Sequence, residues 1–217
     1  DYLEEIQSLL NDDEEEVRKG ATQAFALAAE EHPEDVFDHL DHIQPLLNDQ
    51  EACMYATSVF RNVAKENPGK VLGSLDDIQP PLNNSKGEFN NRQEVQACVS
   101  ATNTFKNVAE EYPGAVLGYL DSIEPLLDED KKGKISELRW AATCVFKHTA
   151  VEHPGGVLGY LDNIQPLLVD KGQEIRKNAV SVFMHVAKKY PDEVLKYLDN
   201  VQSLLSDDEE EVCASAA

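Results

Sequence analysis

Residues 34–68 read EDVFDHLDHIQPLLNDQEACMYATSVFRNVAKENP, and this stretch sets the architecture of the chain. Its second half places Phe60 four residues before Ala64 and eight before Pro68. The same register returns at Phe25/Ala29/Pro33, Phe105/Ala109/Pro113, Phe146/Ala150/Pro154 and Phe183/Ala187/Pro191. An aliphatic residue then follows 18 positions after every Phe, at Ile43, Ile78, Ile123, Ile164 and Val201. A repeat of this length means stacked supersecondary units, because one unit cannot bury its own apolar face. The spacing predicts one uninterrupted stack over 1–217, with units at 34–68, 69–113, 114–154 and 155–191 and partial units at 1–33 and 192–217.

Each unit has two parts. Val36, Leu40, Ile43, Leu46 and Leu47 recur at helical spacing, yet Pro45 interrupts the run by removing a backbone donor. Asp41, Asp76, Asp121, Asp162 and Asp199 each have Gln or Glu three residues on (Gln44, Gln79, Glu124, Gln165, Gln202), the spacing of a capping box. This part is therefore expected to split into two short helices, with Asp as N-cap of the second and Pro in its first turn. Gly73, Gly118 and Gly159 weaken the chain just before the split. From Glu51 to Glu66 the apolar set Ala52, Ala56, Val59, Phe60, Val63 and Ala64 predicts one long helix, ended by Pro68.

Residues Ile6 to Phe25, with Ile-Gln-x-Leu-Leu-Asn-Asp followed by Glu-Val-Arg-x-x-Ala-x-x-x-Phe, resemble the HEAT-repeat signature, and the split leading helix is similar to armadillo repeats. The resemblance covers nearly the whole chain. It implies an all-α, right-handed α-solenoid of HEAT/armadillo-like repeats, with two short helices and one long helix per unit. It also implies an Asp and Arg ladder between units, mapping onto Asp12, Asp49, Asp170 and Asp207 with Arg18, Arg139 and Arg176. Asn84, Glu129, Cys53, Cys98 and Cys213 interrupt that ladder.

The formal charge of −22 argues against direct nucleic-acid binding, which draws its affinity from Lys and Arg on phosphates, and against anionic membranes. A high-salt cytoplasm would suit so acidic a surface, although lysines outnumber arginines 14 to 5. No run approaches the apolar length of a membrane span, and no signal peptide is visible. Val212 and Ala216 hold repeat positions, so the sequence stops inside a unit and the parent protein is expected to continue. Cys53, Cys98 and Cys213 share one repeat position in separate layers, roughly 8–10 Å apart between neighbours and beyond disulfide reach. With Cys144 on another face, all four cysteines are expected to be free thiols, which points to the cytoplasm. Their spacing suits no zinc site, and neither metal nor cofactor is expected.

All variation in repeat length falls before the long helix, giving insertions at Asn83 to Gln93 and Asp128 to Glu137. The first carries Phe89 and Arg92, which either fold back on the solenoid or form a partner-binding loop. The proteins that this chain resembles line their concave face with the long helices. At 100° per residue, the positions opposite the core include those one and two residues after each Phe and six before it. They place Arg61, Lys106, Lys147 and Met184 in one row, Asn62, Asn107, His148 and His185 in a second, and Trp140 in a third. A cationic row beside amide and imidazole donors fits an extended acidic or polar segment of another protein. The competing reading is that these cations only offset carboxylates of facing helices. His32 and His153 interchange with Tyr112 and Tyr190 before proline, which marks packing.

The pattern contains no Gly-rich phosphate loop and no nucleophile with an evident base, so a non-catalytic binding scaffold is the expected function. The resemblance admits alternatives, a HEAT-like enzyme or a lyase-type subunit acting on a protein or cofactor. HEAT-like enzymes that hydroxylate a modified lysine carry His-Glu iron ligands, whereas this chain has the reverse order at Glu31-His32 and Glu152-His153.

Overall fold

The computed structural model describes residues 2–83, 89, 91–128, 136–204 and 213, with no account of the Asn83 side chain. The described residues form helices and turns and contain no strand. The chain divides into two compact units, Asp1–Glu111 and Tyr112–Ala217, which are described separately.

The first unit holds three long helices, α1 (Glu15–Glu31), α2 (Cys53–Glu66) and α3 (Arg92–Glu111), with α2 packed against both others. The second holds α4 (Ser136–Glu152) packed against α5 (Gln173–Lys189). All five stop at a residue that precedes proline and is pushed out of the α region, as His32 (φ −140°, ψ 72°), Asn67 (−147°, 80°), Tyr112 (−130°, 59°), His153 (−123°, 55°) and Tyr190 (−132°, 62°) show. Phe25, Phe60, Phe105, Phe146 and Phe183 are all buried, the most exposed at 2%. Alanines beside them let the helices approach, and the rings fill the space between layers. One row the sequence reading did not single out is Thr22, Thr57, Thr102 and Thr143, three residues before four of the Phe. These buried hydroxyls bond back to the carbonyls of Arg18, Cys53, Cys98 and Trp140, at 2.7, 2.9, 2.7 and 2.8 Å.

The leading part of each repeat differs from the expected pair of capped helices. In the second repeat it is a run of 3₁₀ turns from Pro33 to His39, one α-turn from Leu40 to Ile43, and 3₁₀ turns from Gln44 to Asn48. Pro45 does sit at the start of the last piece. Asp41, however, lies inside the α-turn, and no side chain caps it. The break falls two residues earlier, where His39, Ser74, Tyr119, Tyr160 and Tyr197 take φ between −105° and −111° with ψ near 0°.

That geometry leaves the recurrent Asp available to the next repeat. Tyr160 Oη donates to Asp121 at 2.7 Å, and Tyr197 Oη donates to Asp162 at 2.6 Å. In the first unit His39 Nδ1 meets Gln7 Oε1 at 2.7 Å, and Ser74 Oγ donates to Gln44 Oε1 at 3.1 Å. The same residues also back the core. His39, Tyr160 and Tyr197 tilt against Phe25, Phe146 and Phe183 with ring centroids 5.2, 5.2 and 5.0 Å apart.

The Asp and Arg ladder forms at one described pair in each unit, while Asp207 lies outside the described residues. Arg18 reaches Asp49 Oδ2 through Nε at 2.9 Å and Nη2 at 2.8 Å, and Arg139 Nη2 reaches Asp170 Oδ2 at 2.9 Å. Burial pulls the Asp49 pKa up. The N–H groups of Ala52 and Glu51 and the Arg18 guanidinium outweigh burial and hold it below the ordinary carboxylate value. A depressed carboxyl contributes stability that is complete above its unfolded pKa of about 3.9 and lost as pH falls through the folded value. Arg18→Met should therefore destabilise the protein at pH 7 and much less at pH 3, as urea melts of both proteins at the two pH values would show. None of the four cysteines is joined in a disulfide.

Candidate functional site

The outward rows lie on the long helices. In the first unit α2 carries Arg61 and Asn62, and α3 carries Lys106 and Asn107 at the equivalent places. All four are half-buried, because the neighbouring long helices flank them. Asn62 Oδ1 accepts from Arg61 Nε and Nη2, both at 3.2 Å, which holds the guanidinium over its own helix. Asn107 Nδ2 donates to the Arg61 carbonyl at 3.5 Å, so the structure brings Arg61, Asn62 and Asn107 together. The Asn62 amide N–H group and the Asn107 side-chain oxygen have no hydrogen-bond partner among the described residues.

In the second unit α4 carries Trp140, Lys147 and His148, and α5 carries Met184 and His185. Only Met184 is exposed, at 38%; the other four are half-buried. Trp140 was expected to be fully outward and is not. Val99, at its place in the third repeat, is buried outright at 4%. Lys19, Met54 and Lys177 hold the same position and are half-buried as well, so the whole row is flanked by its surroundings. Partial burial, then the Lys188 ammonium, hold the His185 imidazole below its ordinary pKa, which favours its neutral form.

Two of the cations have no carboxylate partner. Arg61 in the first unit and Lys147 in the second make no ion pair among the described residues, in a chain with 41 Asp and Glu against 19 Lys and Arg. Beside Arg61 and Asn62 opens a cleft of about 670 Å³, with Phe37 in its wall and Glu31, Glu34 and Glu66 among its lining.

Of the first insertion, Phe89 is half-buried and Arg92 is exposed as the first residue of α3. Residues 84–88 and 90, and 129–135 of the second insertion, lie outside the described residues, as do Val212 and Ala216. Among the described residues no three His, Cys, Asp or Glu side chains group to hold a metal ion. No helix is long and apolar enough to cross a membrane.

No protein-family model matches this sequence, and no curated protein does. Solved structures do. A designed armadillo repeat protein in complex with the peptide (KR)4 superposes at TM-score 0.80 and 20% identity, covering 100% of this chain and 97% of that one. Computationally designed armadillo repeat proteins for modular peptide recognition give TM-score 0.80 at 18% identity, with 99% and 96% covered. The archaeal HEAT-like repeats protein from Thermococcus onnurineus NA1 gives TM-score 0.64 at 18% identity, with 99% and 84% covered. The chain has the HEAT/armadillo-like repeat fold. At these identities the likeness speaks to an all-α solenoid architecture, and what such a solenoid binds has to come from its own side chains.

Proposed function

We propose that this HEAT/armadillo-like solenoid is a non-catalytic scaffold that holds an extended, acidic or polar segment of another protein against the outward face of its long helices. The observation that supports this most is the pair of cations without carboxylate partners, Arg61 and Lys147, each half-buried on a long helix. A half-buried cation left unpaired in a protein of charge −22 is a costly arrangement unless an anionic group arrives to meet it. Asn62 keeps a donor and Asn107 an acceptor, so the pair can bond a peptide backbone while Arg61 and Lys106 take acidic side chains. Successive repeats about 10 Å apart would meet an extended strand at about every third residue, at roughly 3.3 Å per residue. Two solved neighbours with this fold are described as peptide-binding proteins, which agrees with a scaffold role. Four cysteines outside any disulfide suit a reducing compartment.

The test is fluorescence anisotropy with short peptides alternating Asp and Ser or Lys and Ser. The acidic peptide should bind, and more weakly as salt rises. Arg61→Glu, Lys106→Glu and Lys147→Glu combined should weaken it at least about tenfold. Helical content should be retained, since all three side chains are only half-buried and stand outside the Phe layers. Undiminished binding by the triple variant, or binding of the basic peptide alone, would overturn the proposal.

A further inference from the structure

We propose that the cleft between the second and third repeats is a guanidinium site, taking the side chain of an arginine from a partner polypeptide where other repeats use their own. The inference comes from comparing equivalent positions within the molecule. In the first repeat Arg18 Nη1 donates to the carbonyls of Asp12 at 2.9 Å and Asp13 at 3.1 Å, while Nε and Nη2 reach Asp49. In the fifth, Arg176 Nη1 donates to the carbonyls of Asp170 at 2.9 Å and Lys171 at 3.4 Å. The arginine thus satisfies the turn that precedes its helix. In the second repeat that position is Cys53, and the turn after Leu46-Leu47-Asn48-Asp49 is two residues shorter.

Two consequences follow from the shorter turn. The Asp49 carbonyl now accepts from Cys53 N at 3.1 Å, but the Gln50 carbonyl, counterpart of those of Asp13 and Lys171, has no hydrogen bond among the described residues. And the shorter side chain leaves a cleft of about 330 Å³, at the low end of the range for ligand pockets. Its apolar walls are Met54 and Pro81, suited to the methylene stem of an arginine, and Glu51, which meets Lys19 Nζ at 3.2 Å, and Glu94, which accepts from Asn91 Nδ2 at 3.4 Å, line it beside the Gln50 carbonyl. A planar fork of N–H donors matches a carbonyl plus carboxylates better than a point-charge ammonium does. Burial, then the Asp49 charge, push the Cys53 thiol up to about 11, so it stays a neutral wall of the site. The cleft lies at the turn before the long helix and does not involve Arg61 or Lys106, so it stands apart from the outward face.

Cys53 supplies the test on the unaltered chain. Its modification by N-ethylmaleimide would be followed by peptide mapping in the presence of a short Gly-Arg-Gly peptide, the same peptide with citrulline, or with lysine. The arginine peptide should slow labelling of Cys53 at least threefold, lysine less, and citrulline not at all. Equal slowing by arginine and citrulline, or none by either, would overturn the site. A second arm follows the Met54 methyl resonance on titration with the arginine peptide. Cys53→Ser should keep the shift and Cys53→Arg, which fills the cleft from within, should lose it; a shift that persists in Cys53→Arg contradicts the proposal.

Discussion

Replacing Phe105 by alanine is expected to lower the stability of the protein by about 3–5 kcal/mol. The ring is fully buried within α3, and neighbours on a stacked helix can collapse only partly around the space it leaves. Repeat proteins gain stability from each interface between neighbouring repeats, and Phe105 belongs to the layer that α3 forms with α2. Leu27→Ala is the matched control, because that side chain is 59% exposed and its loss should cost less than about 1 kcal/mol. Urea denaturation of the three proteins decides the matter. A Phe105→Ala protein as stable as the Leu27→Ala one would mean that the Phe register is not the core.

Arg139→Ala should cost a similar amount for a different reason. The Arg139 and Asp170 side chains are only 10% and 3% exposed, so deleting the guanidinium leaves a buried carboxylate that still accepts from the Gly172 N–H at 2.7 Å but has lost its Arg139 counter-charge. Breaking a buried pair from one side costs about 3–5 kcal/mol, much of it the penalty for the charge left behind. Removing both charges together, as Arg139→Met with Asp170→Asn, should recover a good part of that loss. The Lys196 and Asp162 pair gives the contrast. It has a comparable distance, 3.1 Å, but side chains 60% and 75% exposed, so Lys196→Ala should cost under about 1 kcal/mol. Equal losses at Arg139 and Lys196 would show that burial does not govern this ladder.

The long helices and the Phe layers were legible in the sequence because their signals are strong and local: alanine and phenylalanine at helical spacing, and proline forcing the preceding residue out of the helix. The ladder was legible at Arg18 and Arg139 through the resemblance to HEAT repeats, and each reaches an Asp of the following repeat. The leading segment was misread. Asp41 and Gln44 have the spacing of a capping box, but the chain bends at His39, and the Asp of later repeats serves a tyrosine of the next layer instead. That use depends on which residue a neighbouring repeat places opposite, which spacing within one repeat does not contain. A hint was present, because Tyr119, Tyr160 and Tyr197 hold one position in three repeats. On the outward face the rows were placed on the right helices. Their exposure was overestimated at Trp140, because flanking helices shade a side chain that rotation alone puts outside.

The most direct test of the binding account is a photo-crosslinking footprint of the acidic peptide. A benzophenone side chain would be placed singly at Asn62 and Asn107 on the outward face, and at Gly73, an exposed position in the 3₁₀ run with open space beside it. The account predicts peptide adducts from positions 62 and 107 and none from 73. Adducts from 73 with none from 62 or 107 would place the partner on the other side of the repeats and contradict it.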